Sequence, residues 1–416
     1  MIYLDHAAAT PMSDKVLASM RSYFAEDFFN PSAAYLPAKK VAADYEAAKA
    51  TIAHAIGGKS HDLVITAGAT EANNLALSSI LYGGFRKSVT RGLSEVTTEN
   101  EGANPATAGM SDPSRANAFL NPPILYLATE HDSVRRVAEH CGGEPIRVDR
   151  YGRIDLADLQ AKITDSTELI SVALVNGELG TIQPLSEIAA IIREVRLDRL
   201  RRGVRTKLLL HSDASQALTL LDVSVARLGV DLLTLNAAKI YGPKGVGALY
   251  VSHEVRLAPQ IYGGGQEQGL RSGTENVPGV IGFATAVKEA KAHLNGNRKK
   301  YAHFREILLR NLRGCEIINR KHSLDNFVNI CYNGIDGERL VFLLEEREIY
   351  VATGAACAAS KGEKSHVLKA LGLTDSEIAG SLRLTLGETN SEEQIIAAAK
   401  IINEVVTKEY ERIQNG

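Results

Sequence analysis

Hydrophobic positions along the chain fall into short β-branched runs separated by stretches with helical spacing. LVITAG (63–68), ILYLAT (124–129), ELISVALV (168–175), KLLLHSD (207–213) and VDLLTLN (230–236) have the length and composition of buried strands. GVGALYV (245–251) follows a glycine turn and reads as a strand returning along the same sheet. Between them, AKKVAADYEAAKATIAHAI (38–56) and SEIAAIIREV (186–195) read as helices that cover the strands. Apolar strands alternating with helices predict an α/β fold, its largely parallel sheet covered on both faces.

After about residue 279 the texture changes. A long helical stretch leads into FVNICYN (327–333) and ERLVFLLEE (338–346), then a loop around Cys357, a strand near Arg383 and a last helix. The pattern predicts a large domain over residues 15–280 and a smaller α+β domain over 281–416, joined by residues 1–14. Two stretches interrupt it. Residues 86–121 are rich in Ser, Thr, Asn, Gly, Ala and Glu and poor in large apolar residues, and read as a mobile surface insertion. RLDRLRRGVRTK (196–207) reads as a solvated helix end rather than a docking patch.

Composition narrows the function classes. The 416 residues are 45% hydrophobic and 23% charged, with a formal net charge of −2 and a pI near 6.6. No basic excess points to a nucleic-acid or membrane surface. No window reaches the roughly 18 apolar residues of a membrane span. MIYLDHAAATP at the N-terminus is neither basic nor long and apolar, so a cytoplasmic location is expected. The four cysteines, Cys141, Cys315, Cys331 and Cys357, have no metal or redox spacing and are expected reduced. Cys331 in FVNICYN reads as a buried apolar group.

Candidate chemistry gathers near the predicted strand ends. In NAAKIYGPKGVGALY (236–250), Lys239 follows a strand and precedes a glycine-rich turn, where partial desolvation would free its amine for a Schiff base. Lys244 is a rival, and an ordinary surface lysine is the plain alternative. HSDASQA (211–217) puts Asp213 at a strand's C-terminal end, where α/β folds bind ligands, with Gln216 three residues on. Asp213 could equally be a helix cap. AGATEANN (67–74) runs from a strand through glycine into a helix near Thr70, a candidate phosphate site. ATEHDSV (128–134) places His131 just past another strand, able to stack on a ring or move protons. In TGAACAASKGEKSHVLKALGL (353–373), Cys357 stands among small residues, the setting of a thiol that must move and react. SLRLTLG (381–387) offers Arg383 as a carboxylate clamp, or as a surface ion pair.

Together these strings resemble the cysteine desulfurases, the NifS/IscS-like branch of the class V aminotransferase family. YLDHAAATP (3–11), AGATEANN, TEH (129–131), the Asp213 and Gln216 pair, KIYGPKGVGALY (239–250), GGGQEQGLRSGTENVPG (263–279) and the Cys357 loop occur in family order. The resemblance spans nearly the whole chain apart from 86–121 and 196–207. It implies a fold-type I enzyme with a mostly parallel seven-stranded sheet, bound pyridoxal 5'-phosphate, and a homodimer with active sites at the subunit interface. By motif position it implies Lys239 as the Schiff-base lysine, Asp213 as partner of the ring nitrogen and Gln216 as partner of the phenolic oxygen. Ala69 and Thr70 would contact the phosphate, joined by Thr274 from the opposite subunit. His131 would stack on the ring as acid/base, Arg383 would hold the substrate carboxylate, and Cys357 would take sulfur from L-cysteine as a persulfide. The long loop 357–367 would pass that sulfur to an acceptor or scaffold protein for iron–sulfur clusters or tRNA thiolation.

The chain departs from the family pattern at several places. The Ser and His common before the lysine are Asn236 and Ala238 here. Asn236 could still donate a hydrogen bond to the phosphate and Ala238 could not, at about 1–3 kcal/mol for each contact left unreplaced. An asparagine common beside the ring is Gly177, with Asn176 adjacent as a substrate contact, and Tyr35 stands where the family has His. Two other readings stay open: a selenocysteine lyase or related β-lyase, and a weakly active paralogue serving in a sulfur-transfer assembly.

Overall fold

The computed structural model describes residues 1–79, 123–354 and 364–415. The 86–121 insertion and Cys357 lie outside the described residues. A seven-stranded sheet forms the centre, in spatial order β2 (Leu63–Thr66), β8 (Gly247–Val251), β7 (Leu232–Asn236), β6 (Leu209–Asp213), β5 (Leu169–Ser171), β3 (Ile124–Leu127) and β4 (Glu144–Ile146). β8 pairs antiparallel with both neighbours, and the pairs from β7 to β4 are all parallel. The return strand and the mostly parallel sheet match the sequence reading. The edge strand β4 does not appear in it, because the three residues EPI carry a proline and too little apolar pattern.

Side-chain parity explains why these strands are buried on both faces. Leu63 and Ile65, Leu125 and Leu127, Ile170, Leu210 and Leu233 join one apolar core. Their neighbours Val64, Ile124, Tyr126, Leu169, Leu209 and Leu232 join a second core on the other face. A strand alternates its side chains between faces, so a continuous apolar run is what a sheet with two cores requires. The expected strand 168–175 is ladder-paired only over Leu169–Ser171, after which single bonds from Val172 to His211 and Leu174 to Asp213 guide the chain toward the site.

The basic stretch after 195 is less solvated than its composition suggests. Its helix, Leu185–Arg202, ends on Gly203 in the left-handed conformation. Arg199 is buried and donates to the carbonyls of Thr164, Thr167 and Thr206, while Arg196 donates to Leu208 and pairs with Asp231. These guanidiniums fasten the helix to the strand that follows.

A second sheet runs β12 (Ala352–Thr353), β13 (Ser381–Thr385), β10 (Phe327–Cys331), β9 (Glu316–Ile317), all antiparallel. The N-terminal β1 (Ile2–Tyr3) pairs in parallel with β11 (Ile349–Tyr350). The chain then crosses to the main sheet. Thr10 bonds the Ala238 carbonyl through both its backbone N–H and its hydroxyl, and its hydroxyl oxygen accepts from the Tyr241 N–H at 2.8 Å. The 35-residue helix Val277–Asn311 lies against both Leu36–Ala55 and the C-terminal helix Glu392–Asn415, so it braces the two sheets. No described helix is long and apolar enough to cross a membrane.

Candidate active site

The loops that leave β2, β3, β5, β6 and β7 at their C-terminal ends converge on one region, where open α/β sheets bind ligands. Lys239 sits on a single 3-10 turn, Ala237–Lys239, immediately after β7. The Asn236 side-chain oxygen caps that turn by accepting the Ala238 N–H at 3.2 Å. Lys239 Nζ donates to the carbonyls of Ala7 at 2.8 Å and Ala8 at 2.5 Å. Gln216 Nε2 also donates to the Ala7 carbonyl, at 3.0 Å, so the amine and the amide share one acceptor. The N-terminal segment therefore gathers two of the expected site residues. Gly177 lies beside them: a Cβ there would stand 3.7 Å from Gln216 Nε2, an ordinary contact.

Asp213 ends β6 and is 8% exposed. One carboxylate oxygen accepts from Asn73 Nδ2 at 2.8 Å and the other from the Ser215 N–H at 2.9 Å. Two fixed donors hold it as an oriented anion. No helix starts at Asp213, so the helix-cap alternative considered from the sequence is not met; the Ser215 bond closes a local turn and leaves the carboxylate anchored at the strand end.

The helix Ala69–Ser78 starts on Gly68 at φ 147°, with no side chain among the described residues capping its first turn. Thr70 is exposed there and Glu71 turns back to accept the Ala67 N–H at 2.8 Å while pairing with Arg271 at 3.0 Å. A helix start whose N–H groups lack a side-chain cap, with a cation close by, suits an anion. At Gly68 a Cβ would meet nothing within 4 Å, so Gly68→Ala should lose only conformational energy, about 1–3 kcal/mol, readable by urea unfolding. Thr274 is exposed on the 263–276 segment that Arg271 ties to Glu71.

His131 precedes the helix Asp132–His140 and caps it, Nδ1 accepting the Ser133 N–H at 3.1 Å; the ring itself is exposed. Arg383 on β13 is buried at 7% exposure. Its Nη2 contacts Asp5 at 2.7 Å and its Nη1 the Gly177 carbonyl at 3.1 Å, while Nε has no partner among the described residues. The fork is thus aimed by two acceptors with donors to spare. Asn176 is turned inward: its oxygen accepts from Glu178 and Leu179 N–H and its Nδ2 donates to the Thr129 carbonyl. It shapes the turn that presents the Gly177 carbonyl to Arg383.

Several residues that the sequence did not single out frame the site. Glu130, next to His131, is fully buried, with one oxygen accepting the Ala173 N–H at 2.7 Å and the other without a partner among the described residues. Burial first, and the Asp213 charge second, push it up to about 8. His211, one strand position pair before Asp213, is buried between Ser171 and Thr234 hydroxyls, and burial lowers it to about 4. Glu178 accepts from the Ser365 hydroxyl at 2.7 Å and is raised by burial to about 7.

These shifts carry opposite pH signs. A raised Glu130 stabilises the fold fully below its ordinary 4.5 and loses that contribution as pH climbs toward about 8. A lowered His211 contributes above 6.5 and loses it as pH falls toward about 4. Glu130→Gln should therefore match the parent near pH 5 and exceed it near pH 8, by on the order of 1 kcal/mol or more in urea unfolding.

The aminotransferase class-V family model matches residues 2–101 and 121–397. Cysteine desulfurase IscS 1 of Archaeoglobus fulgidus is 35% identical over 98% of this chain and 97% of its own. Cysteine desulfurase IscS of Methanosarcina thermophila is 32% identical over 98% of this chain and 92% of its own. Among solved structures, a NifS-like protein superposes with a TM-score of 0.82 at 28% identity, covering 98% of this chain and 99% of that one. A chain described as SspA in complex with cysteine gives 0.72 at 28% identity, covering 93% and 99%.

Proposed function

The chain belongs to the class V aminotransferase family, and from that membership we propose that it is a cysteine desulfurase, releasing sulfur from L-cysteine and leaving L-alanine. The observation that carries the reading is the meeting of Lys239, Gln216, Asp213 and the Gly68 helix start at one end of the main sheet, with Arg383 aimed in from β13.

The residues fit pyridoxal 5'-phosphate. The first turn of Ala69–Ser78, with Ala69 and Thr70, would hold the phosphate, and Arg271 lies close by. Asp213, fixed by two donors, would keep the pyridine nitrogen protonated, and Gln216 would meet the phenolic oxygen. Asn236, committed through its oxygen to the lysine turn, would position Lys239 and offer its amide donors to the phosphate. Thr274 would complete the anion site of a second copy in a homodimer. When bound, the cofactor supplies an electron sink that lets the α-proton and then the C–S bond of the substrate be lost.

Each protein group then has a task. Arg383 binds the substrate carboxylate while Asp5 and the Gly177 carbonyl hold its plane. Lys239 and His131 move protons between the substrate carbon and the site. The Cys357 thiolate attacks the substrate sulfur, the C–S bond breaks toward the carbon fragment, and sulfur remains on Cys357 as a persulfide. Protonation of the fragment gives alanine, and an acceptor thiol or a reductant takes the sulfur on.

Purified protein given pyridoxal phosphate, L-cysteine and a thiol reductant should form alanine and sulfide in equal amounts. Cofactor-loaded protein that forms neither would end the reading. Arg383→Lys keeps the charge but loses the fork, and should raise KM for L-cysteine by about 10-fold or more with a smaller change in kcat.

A further inference from the structure

We propose that Asn73 and Ser133 are positioning residues that join the Asp213 carboxylate to the His131 imidazole in one chain of hydrogen bonds. The two groups expected on the cofactor ring are thereby set as a unit. The inference rests on the proposed function for its purpose, though not for its geometry.

Asn73 lies in the helix Ala69–Ser78 with no exposed surface, among the buried Ala72, Leu75 and Ala76. Asparagine is a poor helix former, and an apolar residue at this position would pack against the same core. Its amide instead faces polar groups. Nδ2 donates one hydrogen to Asp213 Oδ2 at 2.8 Å and the other to Ser133 Oγ at 2.9 Å. Reversing the amide would set its oxygen against a carboxylate, so this orientation is dictated by the network. The amide oxygen is buried with no partner among the described residues, a cost that a merely space-filling side chain avoids.

Ser133 continues the chain. Its hydroxyl oxygen accepts from Asn73, which leaves the hydroxyl hydrogen for His131 Nδ1 at 2.8 Å. The Ser133 N–H points to the same nitrogen at 3.1 Å. With two donors on Nδ1, the neutral ring carries its proton on Nε2. A hydroxyl that accepts from an amide is a better donor in turn, so the bonds reinforce one another. Asn73 and Ser133 are both buried, so water does not compete for the bonds from Asn73 to Ser133 and Asp213.

The test reads the ring before it reads turnover. In the full chain labelled with ¹⁵N-histidine, with and without pyridoxal phosphate, His131 should show the Nε2–H tautomer alone. Ser133→Ala and Asn73→Leu should each shift the His131 Nδ1 resonance, the first by removing the hydroxyl donor and the second by removing the amide that polarises it, although Asn73 does not touch the ring; the Ser133 N–H keeps the tautomer in both. Ser133→Thr, which retains the hydroxyl, should restore the parent spectrum. In the loaded protein, Asn73→Leu should also shift the cofactor's visible absorbance and weaken its binding about tenfold, through the loosened Asp213. An unchanged His131 Nδ1 resonance in folded Asn73→Leu would overturn the proposal. If that variant fails to fold, equal Nδ1 resonances in Ser133→Ala and the parent would overturn it instead. Resonance shifts as expected in a protein that does not convert L-cysteine would leave the chain of hydrogen bonds standing and remove the proposed reaction.

Discussion

Cys357→Ala is expected to bring sulfide and alanine formation down to background while the visible absorbance of bound pyridoxal phosphate stays as in the parent. The expectation follows from what the other thiols can do. A sulfur acceptor must be a thiolate at neutral pH and must reach the substrate. Cys141 and Cys331 are buried, and Cys315 is half-buried. Burial, helped by Glu316, pushes Cys331 up to about 11, leaving on the order of one thiolate in 10⁴ at pH 7. Burial raises Cys315 as well. None of the three can substitute, so the loss should be nearly complete. Retained activity in Cys357→Ala would remove the persulfide and favour a simple β-lyase.

Lys239→Ala should have the second large effect, lowering alanine formation by about 10²–10⁴-fold, the range typical of removing a positioned proton-transfer group. It should also change the cofactor's visible spectrum, which Cys357→Ala should not. Lys239 is the amine gathered with Gln216 on the Ala7 carbonyl, so under the proposed function its loss would remove both the covalent anchor and a proton-transfer group. Lys244, the rival in the sequence, is exposed five residues further on, and Lys244→Ala should leave spectrum and rate near parental values. Steady-state rates and absorbance spectra of the two variants side by side decide between the lysines.

The fold was legible where apolar runs were long. Strands such as LLTLN carry enough β-branched and leucine content to announce themselves, and residue parity assigns each side chain to one of two cores. β4 was not legible, since three residues with a proline carry no periodicity. Candidate site residues on glycine turns and strand ends, such as Thr70, Asp213 and Lys239, were legible through their joint order along the chain, since each alone has an ordinary reason to be polar there. Their supports did not. Asp5 and Arg383 are 378 residues apart, and Glu130, His211 and Asn73 act through neighbours on other strands or helices. Linear spacing holds no trace of such pairs. Asn73 did leave a faint signal, as a polar residue on an otherwise apolar helix face. Asn176 shows the converse: its type suggested a ligand contact, and its amide is given over to backbone groups.

The most direct measurement of the central claim is the mass of the intact chain after a single turnover with L-cysteine and no reductant. The account predicts one added sulfur per active site, mapping by peptide digestion to Cys357, with one alanine released for each. Alanine released from a chain whose mass is unchanged, or sulfur found on Cys141, Cys315 or Cys331, would contradict it.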